Sequence, residues 1–282
     1  MVEVLKTGVF DSIQDLGRAD VQQFGVPYAG VMDQYSAMLA NSILGNAPNA
    51  AVIESTFQGP SLKFQINTLI CVSGANANPK INDQPVKLNM ALAVKAGDIL
   101  SFGKLNYGSR IYTAVFGGFQ SEVVMNSRSM FTNVTKVSRL QKGDLIPISN
   151  VAIDAKTSHS LVKFHQSHFE SDDITVLKGP EFESLAQDLK SELFEIPFTV
   201  ASTSNRMAYQ VDERLPNDLD SMITSLVLPG TIQLTPSGQL IILMRDCQTT
   251  GGYPRILQLT EMAINRLAQK NFGSQIRFKL MN

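Results

Sequence analysis

Short apolar and β-branched runs, each closed by Gly, Pro, Asn or Asp, constrain this chain more than any other feature. They recur at residues 68–72, 91–94, 111–116, 174–177, 231–234 and 240–244. Such runs are too short for helices, and the breakers between them end strands. The pattern predicts a mainly β chain with a few helices, of barrel or sandwich type rather than alternating βαβ units. With 282 residues and 44% hydrophobic content, the chain can bury one sizeable core or two smaller ones.

Three segments read as helices. Asp33 is a candidate N-cap for a helix over 34–44 that stops at Gly45-Asn46, with Tyr35, Met38, Leu39 and Ile43 on one face. A second, over 182–193, carries Phe182, Leu185, Leu189 and Leu193 as its apolar stripe. A third follows the candidate cap Thr260, ends before Gly273, and is expected to bury Met262 and Leu267.

The chain also echoes itself. Residues 4–16 resemble 176–189, with a one-residue slip near the end. A smaller echo, a Gly-containing turn running into a strand, occurs at 96–100, 142–146 and 272–276. Two related β-rich halves follow, residues 1–160 and 161–282, parted by a polar stretch from Asn150 to Asp173.

Charge excludes some partners. The formal net charge is −1 and only 17% of residues are charged. With no basic block or acidic tail, nucleic acid and anionic membranes are not expected partners. No apolar run is long enough to span a bilayer and the start lacks a signal segment, while Cys71 and Cys247 have no CxxC spacing. A reduced, cytoplasmic protein is the expectation.

The strongest candidate site follows the run 239–244. There the sequence switches to Asp246, Cys247, Gln248, Thr249, Thr250, Gly251, Gly252, Tyr253 and Pro254. Paired glycines with φ > 0 could leave backbone N–H groups open to a ligand, or the segment could be only a tight turn. Gln14-Asp15-Leu16-Gly17-Arg18 offers a carboxylate and a guanidinium fork, fit for a small anion or for a mere loop-fixing pair. Ser127-Arg128-Ser129 and Ser204-Asn205-Arg206-Met207 add two more arginines near strand ends. Convergence of Arg18, Arg128 and Arg206 would imply an anionic ligand. The loop 25–33 could hold an anion at a helix N-terminus, but Asp33 as cap would occupy that place; Asn41 and Asn46 could line a pocket or be solvated.

Other chemistries find little support. His159, His165 and His168 sit in the polar stretch without i, i+4 spacing, so no metal site is expected. Cys247 has no nearby histidine base and reads as packed. P-loop, dinucleotide-fold and GxSxG motifs are all missing from the sequence.

Taken in order, the blocks at 14–18, 25–33 with 39–46, 127–129, 204–207, 229–233 and 246–254 resemble one family, the KipA/PxpC group. Its members are C subunits of bacterial 5-oxoprolinase, related to the carboxyltransferase domain of urea carboxylase. The resemblance spans nearly the whole chain. It implies two cyclophilin-like β-barrel-type halves, a KipI/PxpB-like partner and a LamB/YcsF (PxpA)-like partner. The implied activity is ATP-dependent opening of the 5-oxo-L-proline lactam to L-glutamate by the assembled complex, this chain being inactive alone. ATP is then a substrate of the complex, and no metal or covalent cofactor is implied in this chain.

Within that resemblance Arg18, Arg206 and Asp246 are the expected catalytic groups. Asp15, Asn205, Gln248, Thr249, Thr250, Gly251, Gly252 and Tyr253 are the expected substrate contacts. The chain departs from the family pattern at Ala208, Gln210 and Cys247. Two other functions fit the same resemblance: a regulatory protein that binds a KipI-like kinase inhibitor, and a carboxyltransferase acting on a urea-like amide. The latter would need biotin carried on another protein.

Overall fold

A computed structural model describes residues 1–149 and 166–281. The chain is mainly β with nearly closed, barrel-like sheet structure, as the strand pattern predicts. It divides into two compact units, Met1–Arg18 with Ala29–Gln166, and Ala19–Tyr28 with Ser167–Asn282. The expected boundary at residue 160 lies outside the described residues, as do His159 and His165. No local signal announces that Ala19–Tyr28 belongs with the second unit.

The first unit is built on two antiparallel sheets. One runs Leu145–Ile146, Val2–Lys6, Ser61–Phe64, Ile99–Ser101, Lys80–Ile81, Gln84–Pro85. The other runs Phe10–Gln14, Val52–Thr56, Tyr107–Val115, Thr68–Asn76, Leu92–Val94. Successive residues of a strand face opposite ways, and here both ways are buried. Ile53, Ile70, Val72 and Ile111 join Val2, Val4, Leu62 and Phe64 in one cluster. Val52, Cys71, Tyr112 and Ala114 face the other side and pack with Ala37, Ala40 and Leu44. Double burial is why these runs are apolar throughout rather than alternating.

Those last partners belong to the helix Gln34–Ile43 and its C-cap. Asp33 caps the other end, its carboxylate accepting from Ser36 N at 3.1 Å and Ser36 Oγ at 2.6 Å. The buried face differs from the expected one. Ser36, Ala37, Leu39, Ala40 and Asn41 are buried, whereas Met38 is exposed and Tyr35 only half-buried. Small side chains let the helix lie close to the sheet, which the apolar count alone does not reveal.

The second unit holds a seven-stranded sheet ordered Phe198–Thr199, Gln275–Leu280, Asp173–Lys178, Arg255–Leu259, Thr231–Leu234, Gln239–Leu243, Ala208–Arg214. A bridge between Val200 and Val211 brings its two edges together. Closure of this kind removes exposed strand edges. Among the described residues, only Asp173–Lys178 and Gln275–Leu280 pair in parallel. The helix Glu261–Leu267 joins Arg255–Leu259 to Gln275–Leu280, the two strands that flank Asp173–Lys178.

Two helix expectations are corrected in this unit. The segment 182–193 is broken: Phe182–Ser184 is a 3₁₀ turn, Leu185 is extended, and an α-helix follows at Gln187–Glu195. In the third helix Leu267 is buried but Met262 is 53% exposed. The larger echo therefore holds for its first strand and then fails, because 10–14 is a strand where 182–184 is a helical turn.

The smaller echo holds down to single hydrogen bonds. Gly97, Gly143 and Gly273 all have positive φ, at 97°, 92° and 77°. Their N–H groups donate to Phe64 O, Val4 O and Val200 O at 2.7, 2.8 and 2.8 Å. The same Phe64, Val4 and Val200 donate back to the carbonyls of Asp98, Asp144 and Ser274. Space around each glycine is open, so only its left-handed backbone demands it.

Candidate functional site

In the first unit, the turn after Phe10–Gln14 meets the loop 124–129. Asp15 Oδ1 accepts from Gly17 N (2.9 Å), Ser127 Oγ (2.6 Å) and Ser129 Oγ (2.6 Å), and Oδ2 from Arg128 N (2.6 Å). Ser129 Oγ in turn accepts from Asp15 N at 3.0 Å. Arg18 is 1% exposed, and its guanidinium donates to the carbonyls of Val124 and Ser129. Arg128 turns to Gln120 Oε1 at 2.9 Å and to the carbonyl of Ser121. Asp15, Arg18, Ser127, Arg128 and Ser129 thus form one lattice that holds two loops together.

Beneath the capped helix lies a polar cluster that sequence reading missed. Glu54, 1% exposed, accepts from Met32 N at 2.6 Å and Tyr112 Oη at 2.9 Å, and Tyr112 Oη accepts from Asp33 N at 2.8 Å. Burial first, then the charges of Glu54 and Asp33, push the Tyr112 phenol well above its ordinary value. The only sequence signal was a carboxylate inside the apolar run 51–56. Asn41 and Asn46 are structural: Asn41 Nδ2 reaches Ala50 O at 2.8 Å, and Asn46 spans Val115 O (2.8 Å) and Gly117 N (2.7 Å).

In the second unit, Arg206 and Asp246 form a bidentate pair. Nε meets Oδ2 and Nη2 meets Oδ1, each at 2.8 Å, with side chains 8% and 16% exposed. Asp246 N also donates to Arg206 O at 3.0 Å. A planar fork on a carboxylate in a half-buried setting is a strong, oriented contact. Asn205 closes its own turn, its Oδ1 accepting from Met207 N at 2.8 Å.

The segment after Asp246 is strapped down along its length. Val227 N donates to Thr249 O (3.1 Å), Met222 N to Gly252 O (2.8 Å), Gln233 Nε2 to Tyr253 O (3.2 Å) and Leu234 N to Pro254 O (3.0 Å). Thr250–Gly251 pairs with Ser225–Leu226. Arg255, which clasps Glu181 through Nε (3.0 Å) and Nη2 (2.8 Å), sends Nη1 to Leu226 O at 3.0 Å. That clasp draws the Glu181 carboxyl below its usual range, chiefly through the Arg255 hydrogen bond.

Two expectations for this segment are corrected. Neither Gly251 nor Gly252 has positive φ; a Cβ at Gly251 would lie 2.5 Å from Gln233 Nε2, so that side chain would have to shift. Many of the backbone groups of the strap are spent inside the fold, while the side chains of Gln248, Thr250 and Tyr253 stay exposed. Cys247 is 3% exposed, and burial, helped by the Asp246 charge, pushes its thiol up to about 12. A thiol so disposed is a poor nucleophile. Arg206 belongs to the second unit, Arg18 and Arg128 to the first. Among the described residues, no helix is long and apolar enough to cross a membrane.

Comparison with known proteins gives the family. The model of the carboxyltransferase domain, subdomain A and B, matches residues 24–280. The chain is 30% identical to the C subunit of 5-oxoprolinase from Escherichia coli over 99% of its own length and 90% of that protein. With the corresponding 5-oxoprolinase polypeptide of Haemophilus influenzae it shares 32% identity over 100% of its length and 92% of the relative. The Kluyveromyces lactis urea carboxylase structure superposes with a TM-score of 0.89 at 28% identity, covering the whole of this chain and 27% of that one. In the TTHA0988 structure, of like fold, the chain spans 55% of the longer polypeptide. This chain belongs to the carboxyltransferase-domain family.

Proposed function

We propose that this chain is the C-type subunit of an ATP-dependent 5-oxoprolinase that opens 5-oxo-L-proline to L-glutamate. The observation that carries the reading is similarity to two 5-oxoprolinase C subunits from end to end, covering nine tenths of each. KipI/PxpB-like and LamB/YcsF (PxpA)-like subunits would complete the enzyme, and the chain alone would be inactive.

The chemistry asks for three things. An unstrained lactam is a weak electrophile, so transfer of a phosphoryl group to its oxygen makes the carbonyl carbon open to water. The substrate's carboxylate needs a fixed cation or donor set, and charge developing on oxygen needs donors already in place. The strap supplies rigid positions for Gln248, Thr249, Thr250 and Tyr253, which we assign to substrate contact. Arg206 already commits Nε and Nη2 to Asp246. We therefore assign Asp246 to orienting Arg206 rather than to accepting a proton. Arg18, Asp15 and Asn205 are spent on loop geometry, and we assign them positioning roles.

Co-expression with the two partners, followed by assay of glutamate release from 5-oxoproline and ATP, tests the reading. We expect turnover only from the three-part complex, reduced at least tenfold by Asp246→Asn. Full turnover by the variant overturns the site assignment, and no turnover by any combination overturns the function. A second reading, a carboxyltransferase on a urea-like amide, is favoured by the match of the whole of this chain to 27% of the urea carboxylase structure. Activity abolished by avidin would select it.

A further inference from the structure

A second constellation lies in the first unit, away from its 14–18 and 124–129 lattice. The hairpin Lys80–Ile81/Gln84–Pro85 and the stretch leading into Tyr107–Val115 enclose a cleft of about 630 Å³. Lys80, Lys87 and Lys104 line it together with Asn76, Asn78 and Tyr107, and among the described residues no carboxylate lines it. Among the described residues none of the three ammonium groups has an ion-pair partner. A cleft lined by one sign of charge raises the local concentration of counter-ions.

One side of the cleft is cross-linked by hydrogen bonds. Asn78 Nδ2 donates to Lys104 O (2.7 Å), and Asn106 Nδ2 returns a bond to Asn78 Oδ1 (3.0 Å). Asn76 Oδ1 accepts from Asn78 N at 2.9 Å, while Gly103 N and Asn106 N bond to the carbonyls of Ala77 and Asn76, each at 2.7 Å. Asn78 holds a left-handed backbone, φ 49°, to make this turn. Flexible cations beside a hydrogen-bonded turn suit a ligand with several oxygens.

We propose that this cleft binds an oligophosphate, either free or as the phosphate chain of a nucleotide. Lysine is a point charge that serves tetrahedral phosphate oxygens from any direction, whereas planar carboxylates favour the arginine fork, which the cleft lacks. Three ammoniums match the charge of two or three linked phosphates. Tyr107, 37% exposed, also lines the cleft. In its nucleotide form the assignment rests on the ATP-dependent reading above, but its test is binding to this chain alone, separate from glutamate release.

Titration calorimetry of the purified full chain at low salt would use phosphate, diphosphate, inorganic triphosphate, ATP and citrate. We expect affinity to rise with phosphate number, and each Lys→Gln change to weaken triphosphate binding about tenfold. The variant K80Q/K87Q/K104Q should lose binding while its circular dichroism stays unchanged, since these side chains are exposed or half-buried. ATP tighter than triphosphate assigns the nucleotide source; equal affinity assigns the phosphate chain alone. Unaltered binding by the triple variant, citrate binding as well as triphosphate, or no binding at all overturns the proposal.

Discussion

Asp15 and Asp246 are both held by partners distant in sequence, yet by opposite means. Asp15 gathers four neutral donors, two hydroxyls and two backbone N–H groups, from its own turn and from residues 127–129. Asp246 is met by one guanidinium from 40 residues away. Neutral donors spread a carboxylate's charge over a loop scaffold, so the carboxylate is what organises the loop. An ion pair concentrates the interaction in two side chains, and each leaves an uncompensated charge if the other goes.

The largest expected effect lies on the Asp15 side. Asp15→Ala leaves four donors without an acceptor, and we expect a loss of about 3–4 kcal/mol in urea unfolding. A loss under about 1 kcal/mol would mean that water replaces the carboxylate, and the lattice would then not depend on Asp15. Arg206→Ala should cost about 2–3 kcal/mol, since Asp246 is left largely buried and unpaired. Arg206→Ala with Asp246→Ala together should cost less than the sum of the singles. Additive singles would break the contrast between the two carboxylates.

A smaller effect separates two kinds of glycine. Gly273→Ala meets open space but a φ of 77°, and should cost about 1 kcal/mol. Gly251→Ala meets Gln233 Nε2 instead, so Gln233→Ala should restore part of its loss. Equal rescue of both variants by Gln233→Ala would erase the distinction.

The thiols, one in each unit, give a pH-dependent term whose slope is nil near neutral pH. Burial pushes Cys71 and Cys247 up to about 12 from an ordinary 9.0. The unfolded chain therefore loses these protons at lower pH than the folded one. Their contribution is fully present below pH 9 and falls away as pH rises from about 9 to about 12. Each thiol should cost about 1 kcal/mol per pH unit in that window, and Cys247→Ala should flatten the slope measured by urea unfolding.

Local chemistry is legible in the residues themselves. The run 231–234 is the strand Thr231–Leu234, Asp33 caps its helix, and the three Gly turns share one bonding pattern. The candidate site is legible in part. Asp246 and Arg206 can be singled out as reactive types, but nothing in either segment says that they bind one another. The broken helix at 182–195 shows the limit: apolar spacing fits an unbroken helix, yet Leu185 is extended and Glu181 is turned to Arg255.

Strand positions, the Asp33 cap and the left-handed turns were determined by the sequence alone, because each depends on neighbours within a few residues. Tertiary structure decided the rest. It set the strand order, the closure at Val200 and Val211, the Glu54–Tyr112 contact and the two opposite uses of a carboxylate. Those contacts join residues from 11 positions apart, at Val200 and Val211, to more than a hundred. Their partners are chosen by which buried polar groups must satisfy each other once the sheets have formed, a condition that no local pattern encodes.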